Sequence, residues 1–142
     1  MRALVILNKN NIYSNQIIKL LKETKFKLKI IWSSEKYENL SKKIGNWEGD
    51  FIFHLSSYYK IPLQILKKSK KLSINFHTAP PKYPGRGGYA WAIYNNDKSY
   101  GITVHEINNK IDNGKIIYVK KFKISNSETL NPLINKTKVN QF

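Results

Sequence analysis

Asn75, His77 and Asp112 are the side chains of this sequence best suited to chemistry. Asn75 and His77 stand two apart in "INFHTAPPKYPGRGG" (74–88), and in an extended chain that spacing sends both side chains to one face. An asparagine amide can donate to a developing oxyanion, and a histidine can take or give a proton near neutral pH. Asp112 lies in "KIDNG", 37 residues after Asn75 and between two strand-like runs. Partial burial there would raise its pKa towards an acid/base role. Each residue also has an ordinary reading: Asn and His are common in loops, and Asp before Asn-Gly commonly closes a turn on its own backbone. Spacing alone leaves both readings open.

The elements that must position these residues alternate. "ALVIL" (3–7) is a short apolar run of the kind buried on both faces of a parallel sheet, and it reads as the central strand. Tyr13, Ile17, Leu20 and Leu21 then recur at helical spacing. "KLKIIW" (27–32) reads as a second strand, "EKYENLSKKI" (35–44) as a polar helix and "DFIFHL" (50–55) as a third strand. "PLQILKKS" (62–69) is a helix opened by Pro62, and "LSINF" (72–76) is a fourth strand. This rhythm predicts an α/β fold with a mostly parallel, doubly wound sheet. After residue 76 comes the proline-glycine loop, then a helix in "YAWAIYN" (89–95) and two longer strands, "YGITVHEI" (100–107) and "KIIYVKKFKI" (115–124). Lys120, Lys121 and Lys123 between apolar residues suit a sheet edge.

Ligands of open parallel sheets bind beyond the carboxyl ends of the strands, which is where Asn75 and His77 fall. A helix starting there would bury them, whereas prolines and glycines leave them uncovered. Gly85, Gly87 and Gly88, with Arg86, can offer backbone N–H groups to an anion. His54 and His105 have no metal-ligand spacing with each other or with a carboxylate pair, so they read as structural groups on strands, and no metal is expected.

With 142 residues the chain suits one domain with a genuine core. The absence of cysteine excludes disulfides and thiolate metal sites. No stretch approaches the roughly 20 apolar residues of a membrane span, and the N-terminus lacks signal-peptide features, so the sequence reads as a soluble cytoplasmic protein without a membrane partner. A net charge of +16 invites a nucleic-acid partner. Of the 25 basic residues, however, only Arg2 and Arg86 are arginine, the residue favoured for phosphate forks and base edges. The lysines are spread along solvated faces, and no specific nucleic acid is expected.

The run from Ile74 to Phe122 resembles the catalytic domain of the formyltetrahydrofolate-dependent formyltransferases, most closely the sugar N-formyltransferases. The resemblance rests on Asn-x-His at Asn75 and His77, the proline-rich loop, Gly101, Thr103 and His105 on the next strand, and Asp-x-Gly at Asp112 and Gly114. It covers about fifty residues strongly and the first seventy weakly. It implies a Rossmann-like α/β/α fold and transfer of a formyl group from N10-formyltetrahydrofolate to the primary amine of a nucleotide-linked amino sugar, as in O-antigen biosynthesis. By the same resemblance Asn75 steadies the oxyanion, His77 assists proton transfer and Asp112 relays protons through a water. The pterin would lie on Ser57, Tyr58, Tyr59, Ile61 and Ile111, and the acceptor on Tyr83, Arg86, Gly87 and Gly88. The loop "HTAPPKYP" departs from the commoner His-x-Ser-Leu-Leu-Pro, with Ala79 for the serine. The first strand lacks the glycine-rich phosphate loop of the glycinamide ribonucleotide enzymes, which argues against that substrate.

The resemblance also implies a catalytic domain over residues 1–142, truncated near its end, where the helix begun by Thr129 to Pro132 has about two turns before Phe142. Part of an acceptor or homodimer surface would then be missing. Rival readings are a methionyl-tRNA formyltransferase-like enzyme, a hydrolase releasing formate, and an inactive folate- or nucleic-acid-binding remnant.

Overall fold

The computed structural model describes residues 1–34 and 38–141. Ala3 to Leu7 are each 0% exposed, a run that only an interior strand can bury. It forms β1 (Arg2–Asn8), paired in parallel with β2 (Lys27–Ser33) on one side and β3 (Gly49–Leu55) on the other. The six-stranded sheet also contains β4 (Ser69–His77), β5 (Ser99–Glu106) and β6 (Ile116–Lys123), in the order β2-β1-β3-β4-β5-β6. β1 is therefore second from the edge and not the centre. With strands and helices alternating and only the β5–β6 pair antiparallel among the pairings described, the fold is the expected mostly parallel α/β type. Contacts divide the chain into two compact units, residues 1–75 and 76–142.

In the first unit, α1 (Ser14–Lys22) buries Ser14 and Ile17 and places Lys19 and Lys22 in its last turn, where cations complement the helix dipole. The helix expected over 35–44 is only α2 (Ser41–Ile44). Residues 38–40 are not helical, and 35–37 lie outside the described residues. Asn39 Oδ1 accepts from the Ser41 N–H at 3.0 Å and Glu38 accepts from the Ser34 N–H at 3.0 Å, local bonds that compete with helix. α3 (Leu63–Leu66) is equally short. Extending it would stack Lys67, Lys68, Lys70 and Lys71 at helical spacing. Instead the Ser69 hydroxyl donates to the carbonyls of Asp50 and Leu72, and β4 starts at Ser69, earlier than expected.

In the second unit, β5 and β6 form an antiparallel pair with a register shift between Val104 and His105. Its core gathers Ala79, Tyr83, Ala92, Tyr100, Ile124 and Leu133. α4 (Gly88–Tyr94) can approach this core because Gly88 has no side chain: a Cβ there would lie 2.7 Å from the Tyr100 hydroxyl. α5 (Leu130–Asn140) has eleven residues, longer than the two turns expected, with Leu133 and Thr137 fully buried. β6 ends the sheet order, as its lysines suggested. Among the described residues no helix is long and apolar enough to cross a membrane.

Candidate active site

The second unit turns the Asp112 carboxylate inward. Asp112 has φ +47°, a left-handed conformation that aspartate tolerates better than most residues. The turn is held by the approach of Lys115 to Glu106, whose N–H donates to the Lys115 carbonyl at 2.9 Å. At Gly114 any Cβ would collide with the Glu106 carbonyl, which explains the glycine of Asp-x-Gly. Asp112 Oδ2 accepts from the Gly85 N–H at 2.9 Å and lies 3.3 Å from His77 Nδ1. Its Oδ1 lies 3.2 Å from His105 Nε2. The side chains of His77, Asp112 and His105 are 11%, 13% and 4% exposed. A cavity of about 190 Å³ opens beside them, with Thr103 in its wall and Pro81 and Pro84 at its rim.

Backbone carbonyls fix the tautomers of both imidazoles. His77 Nε2 lies 2.9 Å from the Tyr83 carbonyl and His105 Nδ1 lies 2.7 Å from the Glu106 carbonyl. A carbonyl only accepts, so each of those nitrogens carries hydrogen. The other nitrogen of each ring faces Asp112. Burial alone pulls the His105 pKa down, but the hydrogen bonds to Asp112 and Glu106 and the Asp112 charge outweigh it, so the net shift is upward. For Asp112 burial pushes upward, and the His105 hydrogen bond, the His77 charge, the Gly85 N–H and the His105 charge together carry it below its ordinary value. This reverses the expectation that burial would make Asp112 a weak acid. It is a carboxylate at neutral pH.

Asn75 closes the first unit on β4, two residues before His77. Its Oδ1 accepts from His54 Nδ1 at 2.8 Å, which turns the amide so that its remaining chemistry is that of an NH₂ donor. His54 and His105, read from the sequence as structural groups on strands, do lie on strands, and each is in hydrogen-bond contact with a candidate catalytic residue, Asn75 and Asp112 respectively. One signal was available in Gly101, Thr103 and His105, which alternate with Ile102 and Val104 and so share a strand face.

The pterin candidates of the first unit divide. The Ser57 hydroxyl accepts from the Tyr59 N–H at 3.1 Å, Tyr59 is buried with its hydroxyl 3.2 Å from Ser41 Oγ, Ile61 is buried, and Tyr58 is exposed. In the second unit Ile111 is exposed. Of the acceptor candidates, Tyr83 meets the site through its carbonyl, while its ring is in the core and its hydroxyl donates to Asp97. Gly88 is buried under Tyr100, whereas Arg86 and Gly87 are exposed. The Gly85 N–H, expected to face an anion, is given to Asp112. Among the described residues no group of three or more His, Asp or Glu side chains is arranged to hold a metal ion.

The model of the formyl transferase family matches residues 3–141. The chain belongs to the formyl transferase family. This formyl transferase chain is 38% identical over 98 residues to a methionyl-tRNA formyltransferase of Buchnera aphidicola, covering 68% of the chain and 30% of that relative. It is 28% identical over 93 residues to a GDP-perosamine N-formyltransferase of Brucella melitensis, covering 65% and 36%. The chain thus spans about a third of the length of the curated relatives it matches. Among solved structures, the N-formyltransferase from Helicobacter canadensis in complex with folinic acid and dTDP-3-aminofucose superposes with a TM-score of 0.79 at 26% identity, covering 99% of the chain and 60% of that structure.

Proposed function

We propose that the protein transfers a formyl group from N10-formyltetrahydrofolate to the primary amine of a nucleotide-linked amino sugar. The observation that carries this reading is the Asp112 carboxylate held between His77 and His105 in a small cavity. A carboxylate and two imidazoles with an apolar proline rim fit a small polar reacting group such as a formamide. The folate supplies an activated formyl carbon. The acceptor nitrogen bonds to that carbon, the carbonyl oxygen becomes an oxyanion, and the Asn75 NH₂ donates to it. Asp112 takes the proton lost by the amine, directly or through a water. The proton passes from Asp112 Oδ2 to His77 Nδ1, 3.3 Å away, and from His77 to the departing N10 as its bond to carbon breaks. Products are the formamide and tetrahydrofolate, with Asp112 and His77 back in their starting protonation states. Tyr58, an exposed side chain of the first unit, is proposed to meet the pterin.

The Helicobacter likeness and the loop "HTAPPKYP" support the amino-sugar acceptor. The 38% identity to a methionyl-tRNA formyltransferase supports a second reading with tRNA as acceptor. On the first reading the protein acts in the cytoplasm with neither membrane nor specific nucleic-acid partner, and a homodimer is compatible with it. Incubation with 10-formyltetrahydrofolate and either nucleotide-linked amino sugars or methionyl-tRNA, followed by tetrahydrofolate absorbance, separates the two. Transfer to the sugar is expected, with a loss of at least about a hundredfold in Asn75→Ala and in His77→Ala. Transfer to tRNA alone overturns the acceptor, and no transfer to either overturns the reading.

A further inference from the structure

The second unit contains another cavity, of about 510 Å³, whose lining includes three lysines: Lys82, Lys98 and Lys121. Pro81 lines both this cavity and the one beside Asp112. They also follow one another along a single face of β5. Ser99 lines the lysine cavity while Thr103 and His105 line the other, and alternate residues of a strand share a face. On β6, Val119 and Lys121 pair with Thr103 and Gly101 and line the lysine cavity from the same side. At about 3.4 Å per residue, Ser99 and Thr103 lie roughly 13 Å apart. Side chains reaching in from both ends and one sugar ring would take up that separation.

Two of the three ammonium groups are held in place. Lys82 Nζ lies 2.8 and 3.1 Å from the two Asp97 oxygens, and Asp97 is fixed in turn by the hydroxyl of buried Tyr83 at 2.6 Å. Lys98 Nζ donates to Asn126 Oδ1 at 2.8 Å. The third, Lys121, comes from a paired strand. Pro80 and Pro81 form a rigid wall, and the loop bearing them is tied down by the Thr103 hydroxyl donating to the Ala79 carbonyl at 2.7 Å. With one aspartate among three lysines, the cavity lining carries an excess of positive charge.

We infer that this cavity binds a diphosphate group, and that in the acceptor reaction it seats the pyrophosphate of the nucleotide-linked sugar while the amine reaches Asp112. The second clause rests on the proposed function; the first does not. Calorimetric titration of the full chain with inorganic pyrophosphate at fixed ionic strength tests the first. K98A/K121A is compared with K19A/K22A, which removes the same charge from α1, and melting curves verify that both fold. The cavity variant should bind pyrophosphate at least about tenfold more weakly, with the control unchanged. Equal weakening in both, or no binding by the wild type, overturns the site. Lys121→Glu alone should reproduce the loss should the double variant melt early.

Kinetics test the second clause: in K98A/K121A the KM for the nucleotide-linked amino sugar should rise at least about tenfold while kcat stays within about twofold. An unchanged KM overturns the seating of the acceptor and leaves the transfer reaction standing. Normal pyrophosphate binding with no transfer by the wild type overturns the acceptor reading and leaves the anion site standing.

Discussion

Asp97 and Asp112 are two carboxylates of the same unit, each gripped by cationic or polar partners and each with its pKa held below the ordinary value. Their partners differ. Asp97 is bonded by Lys82 and by the Tyr83 hydroxyl, and the hydrogen bonds of Lys82 to Asp97 and Tyr83 raise the Lys82 pKa further. Neither Lys82 nor Asp97 changes charge near neutral pH, so the pair is a fixed bracket. Asp112 is bonded by His105, whose pKa is raised from 6.5 and whose charge therefore changes within reach of neutral pH, and it also lies 3.3 Å from His77 Nδ1. The proton-handling character of a carboxylate therefore lies in what it is bonded to, and a depressed pKa by itself does not separate a structural ion pair from a chemical one.

The largest expected effect that would break this comparison is on turnover. Asp112→Asn keeps the shape and removes the proton acceptor, and should lower the rate of formyl transfer at saturating substrates by at least about a hundredfold. Asp97→Asn should leave the rate within about threefold, since Asp97 touches no reacting atom in the proposed scheme. Comparable losses in both would show that the two carboxylates do the same job.

His105 sharpens the contrast, because it acts through Asp112. His105→Gln should lower the rate about tenfold and move the acidic limb of the pH–rate profile to higher pH, as Asp112 loses the His105 hydrogen bond and charge that hold its pKa down. A lower rate with an unmoved limb would make His105 a packing residue only.

How far such roles can be read in advance depends on which contacts make them. The buried run Ala3 to Leu7 and the edge position of β6 were legible because local patterning determines them. The helix over 35–44 was misjudged because the bonds of Glu38 and Asn39 to neighbouring N–H groups depend on side-chain geometry that periodicity does not record. Asn75, His77 and Asp112 stood out by residue type and order. The burial of Asp112 was also foreseeable, but the sign of its pKa shift was not, because it is set by imidazoles from β4 and β5 that come together only in the folded chain. Tyr83 illustrates the limit: its contribution to the site is a carbonyl, which every residue has, so its identity carries no trace of that role.

The smallest expected effect is on stability, and its sign follows from linkage. His105 has a folded pKa above its ordinary 6.5, so its contribution is fully present below that value and is lost as pH rises through the folded pKa. Asp112 has a folded pKa below its ordinary 3.8, so its contribution is present above 3.8 and is lost as pH falls through the folded pKa. The His105–Asp112 pair therefore stabilises most between those limits. Urea denaturation of wild type and His105→Gln should show a larger stability gap at about pH 6 than at about pH 9. For Asp97→Asn the gap should be the same at both, because neither Lys82 nor Asp97 titrates in that interval. A His105→Gln gap that does not change with pH would mean that His105 stays neutral in the fold, and the distinction between the fixed bracket and the proton-handling group would then fail for the His105–Asp112 pair.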